Sequence, residues 1–426
     1  MTLLSTRTYD SYKDSGIDWL GTIPATWETK KLKFVTQIMK RIAGREGPDV
    51  LSITQQGIKV KDIISGEGQL AENYSNYQLV YRGDFAMNHM DLLTGYVDIS
   101  QFDGVVSPDY RVFRRTSDQL DDRFLLLIFQ IGYKQRIFFR YGQGVSLLGR
   151  WRFPAESFKE FRIPIPSLPE QRAIAAFLDD KCSKVDKAVR IKEEQIALLR
   201  ERRQILIQEA VTLGLNPAAP MKDSGIDWIG KIPAHWEQLA NKHIFRLKKS
   251  LVGKRSSEYD LLSLTLRGII KRDMENPEGK FPAEFDTYQE VSPGDFVFCH
   301  FDVEETPRTV GLSEFFGMIT GAYTVYSVTD GIDPRFLLHF YICADTDKKM
   351  RSLYKGLRNT IPKDAFGTFK TPLPPIEEQR KIVAHIDEAS RKIEDAVAIK
   401  EAQIAALKEY KISLINAVVT GKIKVT

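Results

Sequence analysis

One stretch of this chain occurs twice, and it constrains everything else. The first copy runs from Pro169 to about Gly214 and the second from about Pro375 to Gly421. Glu170-Gln171-Arg172 in the first matches Glu378-Gln379-Arg380 in the second, 208 residues later. Sampled at alternating steps of three and four, the first copy reads Leu178, Cys182, Val185, Val189, Lys192, Ile196, Leu199, Arg203, Leu206, Ala210. The second reads Ile386, Ser390, Ile393, Val397, Lys400, Ile404, Leu407, Lys411, Leu414, Val418. Apolar residues at a 3.5 period form a seam for a partner helix. The same two seam positions carry cations in both copies, Lys192/Lys400 and Arg203/Lys411, so the imperfections repeat as well. Ser167, Pro169 and Glu170 make a helix start, and Gly214 and Gly421 make the stops. Each helix is expected to be about 65 Å long at about 1.5 Å per residue. The seams are expected to face each other in an antiparallel, intramolecular coiled coil. The seam cations either set register or lie beside the contact with their charges in water.

The repeat extends through the rest of the chain. Asp14-Ser15-Gly16-Ile17-Asp18-Trp19 recurs as Asp223-Ser224-Gly225-Ile226-Asp227-Trp228, and Trp27 recurs as Trp236. Tyr77-Gln78 and Gly83-Asp84-Phe85 match Tyr288-Gln289 and Gly294-Asp295-Phe296. Arg123-Phe124-Leu125-Leu126 matches Arg335-Phe336-Leu337-Leu338. A unit this long is a duplicated domain rather than a solenoid repeat. The expected fold class is α+β: two similar globular domains joined by two long antiparallel helices, with a pseudo-twofold internal repeat. The expected divisions are a first domain over 1–165, a first spacer helix over 166–214, a second domain over 215–373, and a second helix and tail over 374–426. Short strands are expected at Phe85-Ala86-Met87, Tyr110–Phe113 and Tyr323–Tyr326, and a buried helix from Arg123.

Charge matters here through its distribution, because the net formal charge of 426 residues is only +5. Residues 131–152 carry Lys134, Arg136, Arg140, Arg150 and Arg152 with interleaved aromatics and no acid. Residues 348–363 carry Lys348, Lys349, Arg351, Lys355, Arg358 and Lys363, again with no acid. The two stretches occupy corresponding places, just before each long helix. Cations neutralise phosphates, and Arg, Asn and Gln make paired hydrogen bonds to base edges. The bland reading of either stretch alone is a solvated basic face; a matched pair favours nucleic acid. The candidate DNA-binding residues are therefore Arg140, Gln143, Arg150 and Arg152 in the first domain, and Lys355, Arg358, Asn359 and Lys363 in the second. Trp19, Trp27, Trp228 and Trp236 either belong to a partner-docking face or anchor each domain's core.

Catalytic motifs are missing from the sequence. There is no GxxxxGK[ST] loop and no HExxH. Ser107-Pro108-Asp109-Tyr110 reads as a turn, and Glu278-Gly279-Lys280 is an isolated Glu-x-Lys. The six histidines, His89, His235, His243, His300, His339 and His385, form no pair with metal-ligand spacing, and His89 and His300, at matching loop positions, read either as surface-loop residues or as contacts to a base. Cys182, Cys299 and Cys343 are odd in number and far apart, which fits a reducing compartment and neither disulfides nor zinc. No signal-peptide or membrane-spanning run is expected.

The two openings of the form Asp-Ser-Gly-Ile-Asp-Trp-x-Gly-x-Ile-Pro-x-x-Trp, each closed by Pro-x-Pro, Glu-Gln-Arg and a long helix, resemble the specificity subunit of type I restriction–modification enzymes. The resemblance covers essentially the whole chain. It implies a non-catalytic subunit with two target-recognition domains, each reading half of a bipartite, asymmetric site in double-stranded DNA. It implies that the helices set the spacer between half-sites and that two methyltransferase subunits dock on the repeated regions. Restriction subunits are expected partners, with S-adenosylmethionine, ATP and Mg held by the partner subunits and none by this chain, in the cytoplasm. The competing reading, a coiled-coil adaptor that binds only proteins, leaves the paired basic segments without a purpose.

Overall fold

The computed structural model describes residues 7–63, 71–144, 151–273 and 284–425. In chain order the α-helices are α1 (Asp122–Lys134), α2 (Ala155–Glu160), α3 (Leu168–Leu213), α4 (Pro334–Thr346), α5 (Lys363–Thr368) and α6 (Ile376–Val419). The chain forms two compact units, one of Met1–Lys192 with Glu401–Thr426 and the other of Glu193–Lys400. Each unit thus takes part of α3 and part of α6.

The first unit is built on a four-stranded antiparallel sheet in the order Thr36–Met39, Arg111–Arg115, Phe85–Met87, Val97–Ile99. The second repeats it with Phe245–Lys248, Thr324–Val328, Phe296–Phe298, Val310–Leu312. The Gly-Asp-Phe motif explains itself in this setting. Phe85 and Phe296 are fully buried in their units' cores. The Asp84 carboxylate is also buried, accepts the Tyr81 N–H at 2.8 Å and pairs with Arg41 and Arg114. Asp295 accepts the Ser292 N–H at 2.7 Å and pairs with Lys248 at 2.7 Å. A buried carboxylate persists only with such partners. The Tyr-Gln motif is equally structural. Gln78 donates to the Tyr110 carbonyl at 2.6 Å, and Gln289 donates to the Tyr323 carbonyl at 2.7 Å.

The Glu-Gln-Arg motif ties each long helix to its domain through its middle residue. Gln171 is buried; its amide donates to the carbonyls of Gln119 and Pro166 and accepts the Asp121 N–H at 2.8 Å. Gln379 donates to the Pro374 carbonyl and accepts the Asp333 N–H, each at 2.8 Å. Asp121 and Asp333 in turn cap α1 and α4 through their carboxylates. Surface pairs Arg123–Asp179 and Arg335–Asp387 repeat the same docking.

Within each unit the long helices run antiparallel. In the first, Lys411 reaches Asp186 at 2.7 Å and Lys192 reaches Gln403 at 2.6 Å. In the second, Arg203 reaches Glu394 at 3.0 Å and Ser390 at 3.2 Å. These three seam cations have cross-helix partners, the arrangement that favours one register. Leu178, Val185, Val189, Ile196, Ile386 and Leu414 are buried, and Leu199, Leu206, Ile393, Val397, Ile404 and Leu407 are half-buried.

Trp27 and Trp236 are core anchors, fully enclosed in their units. Trp19 stacks on Phe161 and Trp228 packs on Phe340, each with ring centroids 5.6 Å apart. The helix-ending glycines meet these anchors. Gly421 and Gly214 have φ of +75° and +73°, and a Cβ there would lie 3.1 Å from the Trp27 ring and 3.2 Å from the Trp236 ring. Both the left-handed turn and the close approach require glycine.

Candidate nucleic-acid interface

Each basic stretch carries one antiparallel backbone bridge between two helices. In the first unit α1 leads to a tight helical turn, Phe138–Tyr141, and Gln143 then pairs with Arg152 through two backbone hydrogen bonds of 2.9 Å. The next residue, Phe153, donates its N–H to the His89 carbonyl at 2.8 Å before α2 begins. In the second unit α4 leads to the turn Arg351–Leu353, and Lys355 pairs with Thr360 at 2.8 and 3.1 Å. Ile361 then donates to the His300 carbonyl at 2.8 Å before α5. The backbone is therefore duplicated while the side chains on it differ.

In the first unit Gln143 and Arg152 are exposed and line an open cleft with His89, Lys40, Lys159 and Arg111. Arg140 is exposed on the helical turn outside that cleft lining. Arg150 lies outside the described residues, as do Glu278, Gly279 and Lys280. Arg111 had given no sequence signal beyond its place in a strand. It is buried on the cleft floor, donates to the Phe153 carbonyl at 2.9 Å and lies 4.8 Å from the Phe158 ring centroid. Burial lowers its pKa to about 10. It braces the chain just after the bridge. Pairing of Arg111 with Met87 and of Thr324 with Phe298 places Thr324 at the matching strand position, so that position carries a cation in the first unit and none in the second.

In the second unit the basic stretch is partly neutralised by carboxylates from an earlier loop, which the local sequence does not contain. Arg358 forms a two-pronged pair with Asp302 and stacks 5.4 Å from the Phe301 ring centroid. Arg351 pairs with Glu304, and Lys348 with Asp345. Asn359 is half-buried, reaches Glu305 at 3.4 Å and adopts φ +42°. Lys355 and Lys363 are exposed, Lys363 as the first residue of α5. The structure thus brings Gln143 and Arg152 together in the first unit and Lys355, Arg358 and Asn359 together in the second, with the Arg358 guanidinium spent on its own support.

His300 is not a surface residue, whereas His89 stays in a turn and lines the cleft. His300 is buried, stacked on Phe298 with centroids 5.4 Å apart, and burial holds its pKa down to about 4, with Lys363 adding to the effect. His89 is half-buried and likewise lowered to about 4, by burial first and then by Arg111 and Arg152. Among the described residues no group of three His, Cys, Asp or Glu could hold a metal ion. No helix of the described residues is long and apolar enough to cross a membrane.

Residues 24–200 match the family model described as the type I restriction modification DNA specificity domain. The chain is 22% identical to the "Putative type I restriction enzyme MjaX specificity subunit" of Methanocaldococcus jannaschii, over 95% of this chain and 96% of that protein. It is 23% identical to the type I restriction enzyme MjaVIII specificity subunit of the same organism, over 63% of each. The fold is similar to that of the HsdS subunit from Thermoanaerobacter tengcongensis (TM-score 0.52, 16% identity, 94% of this chain and 98% of that one). It is also similar to a chain from the structure described as "Structural basis underlying complex assembly and conformational transition of the type I R-M system" (TM-score 0.64, 15% identity, 93% and 98%). With one matched specificity domain, a second copy of its elements in the other unit, and one curated relative aligned along nearly its whole length, the chain is similar to type I restriction–modification specificity subunits.

Proposed function

We propose that this chain is the DNA-recognition subunit of a type I restriction–modification complex, each unit reading one half of a bipartite site. The observation that carries this reading is the duplicated antiparallel bridge between matching helices. One backbone device occurs twice with different side chains, Gln143 and Arg152 in one unit, Lys355 and Asn359 in the other. A repeated scaffold with divergent reading residues suits an asymmetric target. Exposed Arg152, Lys355 and Lys363 suit phosphates or base edges. The paired α3 and α6 segments serve as the spacer and as the docking site for two methyltransferase subunits, with restriction subunits joining them. The chain itself is non-catalytic and works in the cytoplasm. S-adenosylmethionine, ATP and Mg belong to the partners.

Co-expression with a type I methyltransferase subunit, followed by methylome sequencing, tests the reading. The expected result is a bipartite motif with one methylated adenine in each half and a fixed spacer. An unchanged methylome on replacing this chain with another specificity subunit would overturn it.

A further inference from the structure

Resting on that reading, we infer that Leu357 is a specificity-determining residue of the second unit, contacting the methyl group of a thymine in its half-site. Leu357 sits at the tip of the 355–360 hairpin with 105% relative exposure, whereas the other exposed large apolar residues of the described chain lie between 38% and 67%. Single exposed leucines are ordinary on surfaces, but this one is held out on a braced support. The Asp302 N–H donates to the Arg358 carbonyl at 2.8 Å, and the Val303 N–H donates to the Asn359 carbonyl at 3.4 Å. The Arg358 side chain clamps the same loop through Asp302 and Phe301. Gly356, Asn359 and Asp302 all take positive φ, at +72°, +42° and +46°. The chain therefore accepts unusual backbone geometry on both sides of the tip to hold one apolar side chain in water.

Such an arrangement needs a partner that presents apolar surface between negative charges. Exposed Lys355 and Lys363 flank the hairpin and suit phosphates. In the major groove the apolar group on base edges is the thymine C5-methyl, which aliphatic side chains contact. Because Arg358 is engaged with Asp302, the most prominent group at the tip is apolar, and it selects thymine by methyl contact rather than guanine by paired hydrogen bonds.

The test uses the complex with its methyltransferase subunits and duplexes carrying the site defined by methylome sequencing. Each thymine of the half-site is replaced in turn by uracil, which lacks only the methyl group. The wild-type complex should lose about fourfold in affinity at one thymine, the value of one buried methyl. Leu357→Ala should bind the intact site on the order of tenfold more weakly and show no uracil effect, while Leu357→Met retains it. An unchanged motif and unchanged uracil sensitivity in Leu357→Ala would reject the inference while leaving the DNA-reading function intact. Weakened binding by Leu357→Ala with a uracil-insensitive wild type also rejects the thymine contact. A wild-type complex that prefers no site over a scrambled duplex removes the functional reading, and the inference with it.

Discussion

Gln171 and Gln379 show how a single buried amide joins a variable domain to a repeated helix. Each takes the N–H of the residue that caps the neighbouring helix, Asp121 or Asp333, and returns hydrogen bonds to the loop before its own. Gln171→Ala strands the Asp121 N–H and the Gln119 and Pro166 carbonyls, at a cost of about 2–4 kcal/mol. The unfolding midpoint of the first unit should drop by several degrees, measured by calorimetry against the wild-type chain, while exposed Arg172→Ala should change little. His300 gives a prediction in pH. Its folded pKa of about 4 lies below the usual 6.5, so the unfolded chain binds the extra proton between these values. Stability is therefore highest above about pH 6.5 and falls as the pH is lowered to 4. The loss amounts to about 3 kcal/mol from this group. His300→Phe, which keeps a ring against Phe298, should flatten that part of the pH–stability profile in urea titrations.

At the scale of elements, α3 and α6 are held by two unequal contributions. The buried seam residues supply the apolar area, while pairs such as Lys411–Asp186 and Arg203–Glu394 are partly exposed and each contribute on the order of 0.2–1 kcal/mol. Their value lies in fixing which residues face each other. The partner numbers sum to nearly a constant, as an antiparallel pair requires (186 and 411, 203 and 394). Deletion of residues 193–199 together with residues 398–404 removes one matched heptad and keeps the seam in phase. If the helices set the spacer, the methylated motif should shorten by about three base pairs with both half-sites unchanged, since seven residues span about 10 Å. Methylome sequencing of the deletion variant reads this directly; an unchanged spacer would mean that the helices are not the ruler.

At the scale of the molecule, duplication separates what is shared from what is free to vary. The tryptophan anchors, helix caps and Gln docking are repeated, whereas Arg111 and Thr324, at matching strand positions, differ. The two half-sites should then respond independently. Arg152→Ala in the assembled methyltransferase should affect only the half read by the first unit. A base contact would relax one position by about 1–3 kcal/mol, and a phosphate contact would weaken all sequences alike and reduce the salt slope by about one. Binding measured across salt concentrations and sequences separates the two cases. Simultaneous changes in both half-sites would contradict independent reading.

The sequence by itself determined the repeat, the fold class and the two long helices, because heptad spacing, capping residues and turn glycines act over a few residues. It also located both basic stretches just before the helices. What it could not determine was which of those cations remain available. The carboxylates of Asp302 and Glu304, which engage Arg358 and Arg351, come from a loop roughly fifty residues earlier. His300 read as one more surface histidine, and folding placed it in the core, while Leu357, which carried no signal of its own, was placed in water. Side-chain exposure and charge pairing depend on contacts between distant segments, and only the tertiary structure sets those.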